Sequence, residues 1–438
     1  MNSSFLTEYI YWGLCIFLIV YALIYLMYKK VIVSISDPLN INIVLLAFKI
    51  AGLAMTAIIL NVNYTFILIV IFLTLYLLAG SIVSWGIKIK YKTLTLNIPL
   101  SLQYIVSSSV ILLLIVNLVL NYFLGFMPVF SGTQSRALMG SVSLPSLVLL
   151  ASYFGQISFL FIILSKYRMI RNMNKISFVV FIITTSLWGS KAALFYFPLY
   201  LLEYDFILNL KLNADLLPAH KIEIHKKIKK CRRLFVGLSI TAIILLPIYL
   251  IFLQVGVDIT SSYSAIIQRL FSGFDNVMYF VFYDIDIREV EKINIFEIYL
   301  YPFVKKIFYT PEFQSAGEYI IYLISNDYVY AKSGMNPNSN LIIELLLALD
   351  NLWFVAIFVM VISYFSIKLR HVILSSGIIT FKRMIIFTIF VLSPFAILSD
   401  GASTIIMFLE LFIIYILINT IYNIIIISKR GYVSYKFY

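Results

Sequence analysis

Charge is scarce in this sequence, and negative charge scarcest: 12% of the 438 residues are charged, with 20 Asp and Glu against 33 Lys and Arg. Soluble domains carry about 25% charged residues, so this chain cannot cover itself with a polar surface in water. Histidine is nearly missing. His220, His225 and His371 all stand among Lys and Arg, and no Cys/His spacing suggests zinc. The two cysteines, Cys15 in the first apolar run and Cys231 in a Lys/Arg cluster, fall on different levels of the expected topology and offer no disulfide framework. Gly-rich phosphate loops and nucleophile elbows are absent too. No metal and no cofactor are therefore expected. Residues Met1–Ile10 contain no Lys or Arg, and the apolar stretch after them is longer than a signal-peptide core. It is expected to stay as a membrane span.

What the chain has in abundance is apolar length. It is 62% hydrophobic with a mean hydropathy of +1.00, which describes an all-α polytopic membrane protein. A hydrocarbon core of about 30 Å takes about 20 helical residues, and eleven runs reach or approach that length: 8–28, 39–60, 64–86, 103–124, 146–165, 176–189, 192–210, 234–253, 341–366, 384–399 and 402–427. An N-terminus outside puts Lys29 and Lys30, the clusters at 88–92, 166–175, 211–233 and 368–383, and the C-terminal Lys429, Arg430 and Lys436 on the cytoplasmic side. The opposite orientation would send nearly all of them across the membrane, so the positive-inside bias selects the first. The net charge of +13 is then the usual cytoplasmic excess facing anionic membrane lipids, and no nucleic-acid partner is expected.

Three parts follow: residues 1–253 as eight transmembrane helices with short loops, 254–340 as one large external loop, and 341–438 as three more helices with a cytoplasmic tail. Within the loop, Ala265–Tyr283 and Ile293–Tyr309 read as amphipathic helices, the second interrupted by Pro302. Segments of this kind lie across the outer face and do not form a separate soluble domain.

Positive charge on the depleted outer face needs a reason. Nine basic residues remain outside the cytoplasmic clusters: Lys49, Arg136, Lys191, Arg269, Arg288, Lys292, Lys305, Lys306 and Lys332. Arg136 stands alone in its connection, Arg269 begins the aromatic helix of the loop, and Lys191 lies on a turn between two short runs. Together they could hold an anion at the outer leaflet, such as a lipid pyrophosphate, because guanidinium forks bind phosphate oxygens in pairs. The alternatives are a headgroup contact for Arg136, a surface ion pair of Arg269 with Asp275, and a snorkelling Lys191. Among outer carboxylates Glu344 differs, since Met335–Asn340 caps the helix it begins. It is a candidate general base, or a complement to the positive helix N-terminus. Lys49 and Glu410 lie inside predicted spans at similar depth, where mutual pairing is more economical than a relay.

These residues resemble those of the Wzy-type polymerases, the bacterial family that joins oligosaccharide repeat units into O-antigen and capsular polysaccharide. The matching pieces are Gly132–Thr133–Gln134–Ser135–Arg136, the turn Thr184–Leu194 with Lys191, Gln268–Arg269–Leu270–Phe271 with Asp275, and Asn336–Pro337 leading to Glu344. The resemblance implies a GT-C-like glycosyltransferase of the plasma membrane, independent of metal and inverting. Its substrates would be a polyprenyl-pyrophosphate-linked oligosaccharide donor and acceptor, and its further partners a chain-length regulator and a flippase. In that family the turn more often carries Arg where this chain has Lys191, and Leu347–Asn351 replaces a Gly-rich stretch. Arg136, Arg269 and Lys191 would hold the pyrophosphate, with Glu344 or Asp275 as base. The competing classes are a glycan-lipid flippase, which would bury charge along many spans, and an O-antigen ligase-like transferase, which relies on an external His. A transferase using a monophosphate donor would show acidic residues in the first outward loop, and Asn61–Asn63 has none.

Overall fold

The structure, a computed structural model, describes residues 3–60, 67, 69–75, 92–123, 145–187, 193–212, 218–253, 280, 283, 285–287, 289–300, 316–326, 340–392 and 401–434. Long helices occupy most of the apolar runs: α1 (Ser3–Tyr28), α2 (Pro38–Leu60), α3 (Leu100–Phe123), α4 (Pro145–Leu164), α5 (Arg168–Leu187), α6 (Ala193–Leu212) and α7 (Pro218–Leu253). Residues 69–75 are helical as well. In the long polar segment lie α8 (Ile295–Tyr299) and α9 (Ala316–Ser325), followed by α10 (Leu341–Ala348) and α11 (Leu352–Ser376). Next, α12 (Phe381–Ile386) runs into a π-helical turn, Phe387–Val391, and α13 (Gly401–Ser434) closes the series.

Three of the described helices are long and apolar enough to cross a membrane alone, at Pro38–Met55, Leu352–Ser376 and Phe408–Ile426, with shorter apolar stretches at Trp12–Tyr28, Leu100–Val116 and Phe154–Leu164. Their outer surfaces are apolar. On α11, Trp353, Phe354, Ile357, Phe358, Val361 and Phe365 are exposed along one side while Val355, Val359, Ser363, Ile367 and Arg370 are buried along the other. A helix whose greasy face points away from the protein has lipid for solvent. The chain is an all-α membrane protein.

Several boundaries differ from the apolar runs. α5 begins about two turns before the run at 176, because Arg168, Arg171 and Lys175 form a polar first face of the same helix. α7 begins about four turns before 234, since its Lys-rich start is made of good helix formers. The run 341–366 is not one helix. It breaks at Leu349, whose backbone is extended, and Asn351 starts α11 afresh by accepting a hydrogen bond from the Trp353 N–H at 2.8 Å. The expected helix over 293–309 is described only as α8, and 265–279 lies outside the described residues, whereas α9 was not foreseen.

Basic residues from distant parts of the sequence gather at one end of the bundle, the basic end. There β1 (Thr95–Leu96) and β2 (Ile378–Ile379) form a two-residue parallel ladder, extended by the Lys92 N–H to Leu374 O and the Asn97 N–H to Ile379 O. Gly377 makes the approach possible: its φ is +66°, and a Cβ there would lie 2.7 Å from both Lys92 Cβ and Thr93 O. The Asp37–Pro38 step opens α2 as an N-cap and first helical residue, with the Leu39 N–H donating to Asp37 Oδ1 at 2.9 Å. The same carboxylate accepts two hydrogen bonds of 2.7 Å from Arg370 Nη2, and both side chains are fully buried. Ser36 Oγ donates to Asp205 Oδ2, which also receives Arg232 Nε at 3.3 Å. The link 29–37, α6, α7 and α11 are thereby joined by charge.

Two buried apolar clusters hold the bundle. The first unites α1, α2, 69–75, α10 and α11 with Phe280, Ile287, Ile298, Ala316, Tyr319 and Ile320 of the long polar segment. The segment therefore shares the core of the helices and has no core of its own among the described residues. The second cluster unites α3, α4, α5 and α6 with the last turns of α11, α12 and α13.

Candidate functional site

At the end opposite the basic one, α10 presents the one proposed site residue that the structure describes. Asn340 caps it, accepting from the Ile343 N–H at 2.9 Å, and every residue from Leu341 to Leu347 is buried. An eight-residue helix buried all round is hydrophobic on every face, which explains why the sequence reads as the start of a long span. Glu344, in its first turn, is 0% exposed.

The position of that carboxylate depends on Gly401. A Cβ at 401 would collide with Glu344 Oε2 and lie 3.0 Å from Leu341 Cδ1, so only glycine admits the contact. Gly401 is the first residue of the 34-residue α13. Glu344 thus lies in the first turn of one helix and against the start of another, where unsatisfied backbone N–H groups and the macrodipole both favour negative charge. The side chain is also engaged in a polar interaction. Beside it the Asn340 Nδ2 donor is buried and has no hydrogen-bond partner among the described residues. A buried carboxylate so placed can take up a proton or rest as an anion favoured by the two helix starts.

The long polar segment clamps the opposite end of α10. Lys292 Nζ donates to Ile287 O at 2.9 Å and to Leu346 O at 3.1 Å, and lies 3.8 Å from Asp350 Oδ1. The Ile293 N–H donates to Leu347 O at 3.0 Å, and Tyr319 Oη donates to Glu291 O at 2.9 Å. Burial holds the Lys292 ammonium below its usual range, against the pull of Asp350 and Asp286. A cation at the carbonyl end of a helix is favourable. Lys292 was one of nine basic residues outside the cytoplasmic clusters, without a distinguishing pattern in the sequence, and its task is structural.

Arg136, Lys191, Arg269 and Asp275 lie outside the described residues. Lys49 belongs to α2 in the first cluster's helices and Glu410 to α13 in the second's, and each engages a partner. Gly401 was legible only as part of the turn Ser399–Asp400–Gly401. Glu203, on α6, was missed as a buried charge: it is 7% exposed, and its Oε2 lacks a hydrogen-bond partner among the described residues. The signal was in the sequence, a carboxylate inside the predicted span 192–210, of the same kind that singled out Lys49 and Glu410. No group of three or more His, Cys, Asp or Glu suited to a metal ion occurs among the described residues. No protein-family model matches the chain, and no curated protein or solved structure is significantly similar to it.

Proposed function

We propose that the chain is a membrane glycosyltransferase that polymerises polyprenyl-pyrophosphate-linked oligosaccharide repeat units at the outer leaflet of a bacterial plasma membrane. The reading takes eleven spans in a GT-C-like arrangement, with the basic end in the cytoplasm. The observation that carries it is Glu344, a fully buried carboxylate at the end opposite the basic one, beneath a polar segment that shares the helices' core. An acceptor hydroxyl attacks the anomeric carbon as the bond from that carbon to the pyrophosphate oxygen breaks. The hydroxyl proton passes to Glu344 or Asp275, and a single displacement inverts the centre. Arg136, Arg269 and Lys191 stabilise the charge that develops on the leaving pyrophosphate.

A second reading, export of the glycan lipid, draws on Glu203, a buried charge midway along α6 that the polymerase reading does not use. Cells lacking the chain separate the two. Polymerisation predicts that single lipid-linked repeat units accumulate facing outward, and loss of all outward-facing units would favour export. Arg136→Ala and Arg269→Ala should each abolish polymer at normal protein abundance. Arg→Lys should rescue weakly, because an ammonium keeps the charge and loses the fork.

A further inference from the structure

At the basic end a cavity of about 650 Å³ opens between the last turns of α4 and α6, the first turns of α5 and α7, and the strand β1. Four cations line it: Lys166, Arg171, Lys211 and Lys227. Among the described residues Glu223 is the single acidic group in its wall, and it is already bound to Lys227 at 2.6 Å. Much of the remaining wall is apolar, with Phe159, Ile162, Ile163, Leu208 and Ile224. Lys211 is partly buried, and both its desolvation and the charge of Lys227 hold its ammonium below the usual range. Like charge has been brought beside the partly buried Lys211. An anion placed among the four cations would offset it.

We infer that this cavity binds the phosphate headgroup of an anionic membrane lipid. A soluble phosphate would satisfy the same cations, since the recognising chemistry is shared. The lipid is favoured by the wall: five apolar side chains line the side formed by α4, α6 and α7, and the apolar stretch Phe154–Leu164 of α4 runs on from it. A free phosphate has no use for that wall, whereas the glycerol and first acyl carbons of a lipid do. The neighbouring groove, bounded by α6 and α7 alone, holds five cations, Lys221, Lys226, Lys229, Arg232 and Arg233, beside the apolar Leu212, Ile222, Ile228 and Val236, and replacing three of its lysines removes the same charge as replacing Lys166, Arg171 and Lys211. It provides a charge-matched control.

The test uses the full-length protein in nanodiscs of phosphatidylcholine with a minor fraction of phosphatidylglycerol, and native mass spectrometry counts the lipids retained. The wild type should retain phosphatidylglycerol selectively. The triple variant Lys166→Gln, Arg171→Gln, Lys211→Gln should lose that selectivity by about tenfold or more, while Lys221→Gln, Lys226→Gln, Lys229→Gln should keep it. Equal loss in both triple variants would reduce the site to diffuse attraction and overturn the inference, as would undiminished selectivity in the first. A competition arm on the wild type distinguishes the sources and needs no variant to fold. Short-chain phosphatidylglycerol should displace the retained lipid at concentrations where free glycerol phosphate does not, and equal potency would overturn the assignment to lipid.

Discussion

The two ends of the bundle use buried charge in opposite ways. At the basic end the buried carboxylates of Asp37 and Asp205 each have a cation directly on them: Asp37 receives Arg370, and Asp205 receives Arg232 together with the Ser36 hydroxyl. At the far end Glu344 lies in the first turn of α10 against the start of α13, and Lys292, at the other end of α10, donates to backbone carbonyls. A buried charge paired with a guanidinium fixes geometry, whereas the carboxylate at the far end is the group proposed to take a proton. The basic end is therefore scaffold, and the far end is where chemistry is proposed.

The largest effect that could break this comparison is at Arg370. Arg370→Ala leaves Asp37 buried without its cation and should cost about 3–5 kcal/mol, read as a fall in folded yield and in Tm in detergent. Arg370→Met with Asp37→Leu removes both charges and should recover much of the loss. Additive losses would mean that the pair is not the clamp. Next is Gly401→Ala, whose methyl meets Glu344 Oε2 and should lower stability by about 1–3 kcal/mol. Adding Glu344→Ala should relieve part of that cost, since the two residues touch. The smallest is Lys292→Met, which removes the bonds of a partly exposed ammonium to two carbonyls and should cost about 0.5–1.5 kcal/mol, with proteolysis of the 254–340 segment becoming faster.

The helices were legible because lipid-facing and core-facing residues are both apolar, so a span announces itself by length alone. The same property hid the break inside 341–366. Leu345, Leu346 and Leu347 continue the run up to the end of α10, and only Asp350 and Asn351 mark the stop. The gathering of basic residues at one end agrees with the clusters seen in the sequence. The partner of Arg370 could not be read, because Asp37 lies 333 positions away and looks locally like a helix cap, which it also is. Glu344 was legible through its cap at Asn340, while the contact that gives it its setting depends on Gly401 and on a tertiary approach of two helix starts.

The central claim is tested most directly by Glu344→Gln, which keeps shape and hydrogen-bonding capacity and removes the proton-accepting carboxylate. The measurement is the length ladder of surface glycan at wild-type protein abundance, beside the Arg370→Met, Asp37→Leu variant at matched abundance. Glu344→Gln should leave single repeat units, and the basic-end variant should keep a full ladder. A full ladder from Glu344→Gln would contradict Glu344 as the group that takes the proton.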